Sequence, residues 1–205
     1  MTESANPASS LKASSSTVLW LQGITIAWML VELGVAAYAA FSAHSPAMMA
    51  FASDSVIELI SAAVVLSPRI PALAISQEKA TRTAGTLLFA LAFVVTAIAV
   101  ACLFLRWRPE TSPAGIAITI AALIAMPVLA ALKRREARRH GNAALAADAV
   151  QSATCAYIAL ITLAGVGVNA AFHIAWFDSI AALAAVPLLI KEGREARKGH
   201  SCGCC

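Results

Sequence analysis

Charge is the scarcest property of this sequence. Only 13% of its 205 residues are Asp, Glu, Lys or Arg, against 60% hydrophobic, with a mean hydropathy of +0.79. A soluble domain of this size needs more charge on its surface, so a water-soluble globule is excluded. The residue-by-residue alternation of membrane strands is also missing, which excludes a β-barrel. Aromatics reach only 6% and fall mostly near the ends of apolar stretches, a poor supply of walls for an organic-cation pocket. No nucleophile–base constellation and no phosphate-binding loop occurs, so an enzyme is not expected.

Long apolar runs are what the sequence has instead. Six are found, at about 18–41, 47–67, 85–105, 114–132, 143–168 and 174–190, each near the ~20 residues that cross a bilayer. The expected fold class is therefore an all-α membrane protein, a six-transmembrane-helix bundle. Of the 15 Lys and Arg, Lys12 precedes the first run, Arg69, Lys79 and Arg82 lie between the second and third, five from Lys133 to Arg139 lie between the fourth and fifth, and Lys191, Arg194, Arg197 and Lys198 follow the sixth. Only Arg106 and Arg108 fall on the opposite side, which places both termini in the cytoplasm. The net charge of +4 is thus topological, and nucleic acid is not an expected partner.

The domain reading is a disordered, Ser/Ala/Thr-rich N-terminus at 1–17, a transmembrane unit at 18–190 and a cytoplasmic tail at 191–205. A signal peptide ending near Ala37-Tyr38-Ala39 is the competing view of the first run. That run is too long for it and is interrupted by Glu32.

The acids are distributed differently from the bases. Five of the 11 Asp and Glu lie inside the apolar runs (Glu32, Asp54, Glu58, Asp148 and Asp178), whereas no Lys or Arg does. Asp54 and Glu58 are four residues apart, about one helical turn, so they share a face roughly 6 Å apart along the axis. A charged acid near a bilayer centre costs about 2.5–3.5 kcal/mol on insertion scales. Two on one face, with no buried basic partner, call for protons or a cation. Asp148 on the fifth run sits in an echo of the second, Ala52-Ser53-Asp54-Ser55-Val56 against Ala146-Ala147-Asp148-Ala149-Val150, with Ser152 in the register of Glu58.

Other polar residues have plainer explanations. Glu32 is either an auxiliary ligand or an acid bonding a neighbouring helix. Cys155 lies about 10 Å along the axis from Asp148, too far for one zinc to bridge, and is read as packing. Asp178, in the first turn of the sixth run, is read as satisfying backbone N–H groups. Lys133-Arg134-Arg135-Glu136-Ala137-Arg138-Arg139 is read as a headgroup anchor that could extend helix 5 into the cytoplasm. In the tail, His200, Cys202, Cys204 and Cys205 form a candidate soft-metal site in a reducing compartment.

Phe51-Ala52-Ser53-Asp54-Ser55-Val56-Ile57-Glu58-Leu59 and Ala146-Ala147-Asp148-Ala149-Val150-Gln151-Ser152 resemble the helix 2 and helix 5 motifs of the cation diffusion facilitator transporters. Trp176-Phe177-Asp178 and Lys191-Glu192-Gly193 are similar to a compact subgroup without the C-terminal cytoplasmic domain. The resemblance covers about residues 18–195. It implies Asp54, Glu58 and Asp148 as ligands of a transported divalent metal, and a homodimer. The family's other helix 5 ligand falls on Ala144, which cannot bind metal, leaving Ser152, Glu32 or water as the candidate fourth ligand.

The expected function is efflux of a divalent metal in exchange for protons, across a bacterial inner (plasma) membrane. Zinc is the first choice, with cadmium, cobalt, iron or manganese as alternatives and no prosthetic group. Two rivals stand beside it: a membrane metal sensor or buffer acting through the tail, and a proton-coupled exporter of organic cations.

Overall fold

The computed structural model describes residues 7–66, 77–105 and 108–197. They form α1 (Pro7–Ser42), α2 (Pro46–Leu66), α3 (Gln77–Phe104), α4 (Pro113–His140), α5 (Ala143–Phe172) and α6 (Ala175–Arg197), with no strand among the described residues. Four helices contain stretches long and apolar enough to cross a membrane: Thr17–Ser42, Pro46–Ala63, Pro113–His140 and Asp148–Phe172. α3 adds a shorter apolar stretch, Phe89–Phe104.

Two boundaries differ from the sequence reading. Residues 7–17, expected to be disordered, form the opening turns of α1. Pro7 occupies the first helical position, where its missing N–H costs nothing, and the Ala, Leu and Lys that follow favour helix. The basic run from Lys133 to Arg139 does not extend helix 5; it continues α4 to His140. Nothing in that run breaks a helix until Gly141, which takes the left-handed conformation at φ +60°. Asn142 then caps α5, its Oδ1 accepting from the Leu145 N–H at 3.1 Å. A connection this short makes α4 and α5 an antiparallel pair.

α2 is the central element. It packs against α1, α3, α5 and α6, and 67% of its Pro46–Ala63 stretch is buried, against 33% for the corresponding stretch of α1. The buried cluster is rich in alanine, including Ala36, Ala47, Ala50, Ala99, Ala122 and Ala182, while Trp20, Phe41, Phe93, Phe104 and Phe172 point outward. Lipid solvates large apolar groups as well as a core does, so small residues at the seams, which let helices approach, decide the packing. Gly165 is one such close approach: a Cβ there would lie 2.5 Å from the Ala181 Cβ of α6.

Asp178 is structural, but it caps a different helix from the one expected. Its Oδ1 accepts from the Ala47 N–H at 3.0 Å and its Oδ2 from the Ser45 hydroxyl at 2.6 Å, both at the N-terminus of α2. Ser45 in turn accepts from the Met48 N–H at 3.1 Å. α6 thereby fixes the height of α2, and with it the height of Asp54 and Glu58.

Candidate cation site

The acid pair of α2 lies where the spacing put it. Asp54 and Glu58 are both fully buried and face the seam with α5. Neither carboxylate oxygen of Asp54 has a hydrogen-bond partner, and Oε2 of Glu58 has none either. Groups of this kind cost several kcal/mol when buried unsatisfied, a cost that a proton or a bound cation would relieve.

The absence of a buried base, expected from the sequence, is overturned. Lys133, just beyond the fourth apolar run, is fully buried, because α4 continues past it and leans against α5. Its Nζ lies 2.8 Å from Asp148 Oδ2 and 3.4 Å from Glu58 Oε1, and donates to Ser152 Oγ at 2.7 Å. Ser152 passes the contact on by donating its own proton to Glu58 Oε1. Hydropathy drew the end of the fourth run at residue 132 and so missed this lysine.

Asp148 is fully engaged. Besides Lys133 it accepts from Gln22 Nε2 of α1 at 2.7 Å and from the Ser61 hydroxyl of α2 at 2.9 Å. Its place in the second turn of α5 follows from the Asn142 cap. Glu32 is likewise satisfied. It accepts from Trp28 Nε1 at 2.8 Å, from the Ser55 hydroxyl at 2.7 Å and from the Cys155 thiol at 3.5 Å. Of its two readings, the acid that bonds neighbouring helices fits these contacts.

Cys155 is not simply packing. It is far from Asp148 along α5, as its spacing required, but it has other neighbours. Its thiol contacts Glu32 and lies beside Asp54 without a well-formed hydrogen bond to it. The sequence assigns no site role to a further acid, which enters only through the Lys191-Glu192-Gly193 resemblance. Glu192, near the end of α6, is buried; its Oε2 accepts from Gln151 Nε2 at 3.0 Å and its Oε1 has no partner. Burial, with the charges of Glu58 and Glu195 nearby, raises its pKa to about 7 despite the Gln151 hydrogen bond. Only its position after the last apolar run, among Lys191 and Arg194, disguised it as a surface residue.

Five carboxyl groups (Glu32, Asp54, Glu58, Asp148 and Glu192) thus share this part of the interior with one ammonium group among the described residues, Lys133. If all ionise, the excess is four negative charges, so a divalent cation would leave two to be met by protons. Among the described residues, no three His, Cys, Asp or Glu side chains already converge to hold a metal ion. Lys133 instead gathers Glu58 and Asp148, leaving Asp54 with both oxygens open. His200, Cys202, Cys204 and Cys205 lie outside the described residues.

The family model described as the cation efflux transmembrane domain matches residues 72–198, more than half of the chain. That range takes in α3 to α6, with Lys133, Asp148 and Cys155; Asp54 and Glu58 precede it. No curated protein matches the chain.

Proposed function

Starting from the fact that the chain belongs to the cation efflux family, and is therefore an integral membrane cation transporter, we propose that it exports a divalent metal, zinc in the first place, in exchange for protons at Asp54 and Glu58. The observation that carries this reading is Asp54: fully buried, on the central helix, one turn from a second acid, with both oxygens unpartnered. Such a group can be neutral with a proton or neutralised by a metal, and the two exclude each other. That exclusion is what couples the fluxes.

Cys155 supports zinc over harder ions, because its sulfur lies beside Asp54 and could close the ligand set from α5. Asp148, the other helix 5 candidate, would enter the set only by leaving Lys133. Ser152 is the weakest ligand candidate, since its hydroxyl already links Lys133 to Glu58. Alternating access then requires α2 and α5 to shift against their neighbours so that the seam opens to each side in turn. Thirteen of the 15 Lys and Arg fall in the sequence segments that alternating crossings put on one side, which supports cytoplasmic termini. A homodimer and a bacterial inner-membrane location belong to the same proposal.

The test is metal uptake into proteoliposomes under an imposed pH gradient. Zinc flux above that of empty liposomes, lost in Asp54→Asn, supports the assignment; full flux in Asp54→Asn refutes it.

A further inference from the structure

Lys133 is the one buried cation among the described residues of the site, and its contacts are asymmetric. The pair with Asp148 is short, 2.8 Å, and Asp148 is itself held from α1 by Gln22 and from α2 by Ser61. The pair with Glu58 is long, 3.4 Å, and is helped by Ser152, which touches both. One side is a firm berth; the other is a contact that can be given up. Glu58 is divided in the same way: Oε1 faces the ammonium and Oε2 has no partner.

Resting on the transport reading above, we propose that Lys133 is the site's resident counter-cation, released from Glu58 but kept by Asp148 when the cargo binds, and that this makes the site selective for divalent over monovalent cations. A monovalent ion that replaces the ammonium at Glu58 brings no more charge than it removes. It must also give up its water to do so. A divalent ion brings one charge more, and it meets Asp54 and Oε2 of Glu58 at the same time. The lysine therefore sets a threshold that Na⁺ and K⁺ do not pass. It also keeps Glu58 from standing uncompensated between cycles, and its return helps to expel the cargo.

The experiment measures Zn²⁺ affinity of the full chain in lipid nanodiscs, in sodium chloride and in choline chloride, for wild type, Lys133→Gln and Lys133→Gln/Asp148→Asn. The double variant removes the ammonium together with its berth, so that Asp148 is not left as a stranded carboxylate. Either variant that folds is expected to bind Zn²⁺ at least ~10-fold more tightly than wild type in choline. It should also lose that gain as Na⁺ is raised, whereas wild type is indifferent to Na⁺. Unchanged or weaker Zn²⁺ binding without new Na⁺ sensitivity, or failure of both variants to fold, would show Lys133 to be a structural counter-charge and overturn the proposal. Wild type that binds no divalent metal overturns the transport reading instead, so the two failures are distinct.

Discussion

Asp178 of α6 and Ala47 of α2 are joined by a 3.0 Å hydrogen bond that runs from the Ala47 backbone N–H to the Asp178 carboxylate. It ties the last helix to the first turn of the helix that carries the acid pair. The second oxygen holds Ser45 at 2.6 Å, so one side chain satisfies two donors in a buried turn.

Removing this cap should cost about 1–3 kcal/mol, the range for leaving a buried donor unpaired. Asp178→Ala is expected to lower the midpoint of thermal unfolding in detergent. Asp178→Asn, which keeps an acceptor for Ala47, should lose less. Equal losses in the two variants would mean that the carboxylate charge, and not the cap, is what matters.

Gly165 makes a prediction of the opposite kind, about too much material. A Cβ there meets the Ala181 Cβ at 2.5 Å, and both atoms are fixed to backbone, so α5 and α6 must separate. Gly165→Ala is expected to destabilise the fold by about 1–3 kcal/mol. Ala181→Gly in the same chain should restore most of it, because it vacates the volume the new methyl needs. Thermal melts of the two single variants and the double measure the coupling.

The architecture was legible because lipid imposes it. Six apolar runs gave six helices, and the spacing of Asp54 and Glu58 put both on the buried face of α2. What could not be read was depth at the ends of the runs. Hydropathy treats Lys133 and Glu192 as surface because they lie in the charged stretches that follow apolar runs. Each lies on a helix that continues beyond its run, and each turns inward there. The direction of side chains between helices was equally hidden: Asp178 was placed at a helix start, but which helix it serves depends on how α6 packs on α2.

Glu192 should leave a signature in the pH dependence of stability. Its pKa is raised from 4.5 to about 7 in the folded chain, chiefly by burial, so the folded state holds a proton that the unfolded state releases earlier. The stabilising contribution is complete below pH 4.5 and is lost as the pH rises through 7. The full loss is about 3 kcal/mol. Glu192→Gln, unable to ionise, should not show this fall, and the difference between variant and wild type in denaturant unfolding from pH 4 to pH 8 measures it. Parallel curves would place Glu192 in contact with water.

On the proposed transport reading, Cys155 sets what kind of metal the site prefers. Its thiol is buried beside Asp54 and Glu32; the other described free cysteine, Cys102, sits on α3. Sulfur favours soft ions such as cadmium and zinc, while a set made only of carboxylates favours manganese. Serine keeps the size and a donor for Glu32 but replaces the soft atom with a hard one. Cys155→Ser is therefore expected to lower cadmium flux relative to manganese flux by about 10-fold in proteoliposomes, with little change in stability. A ratio that does not move would return Cys155 to packing, and the site would then have to be completed from α5 by Asp148, at the expense of its 2.8 Å pair with Lys133.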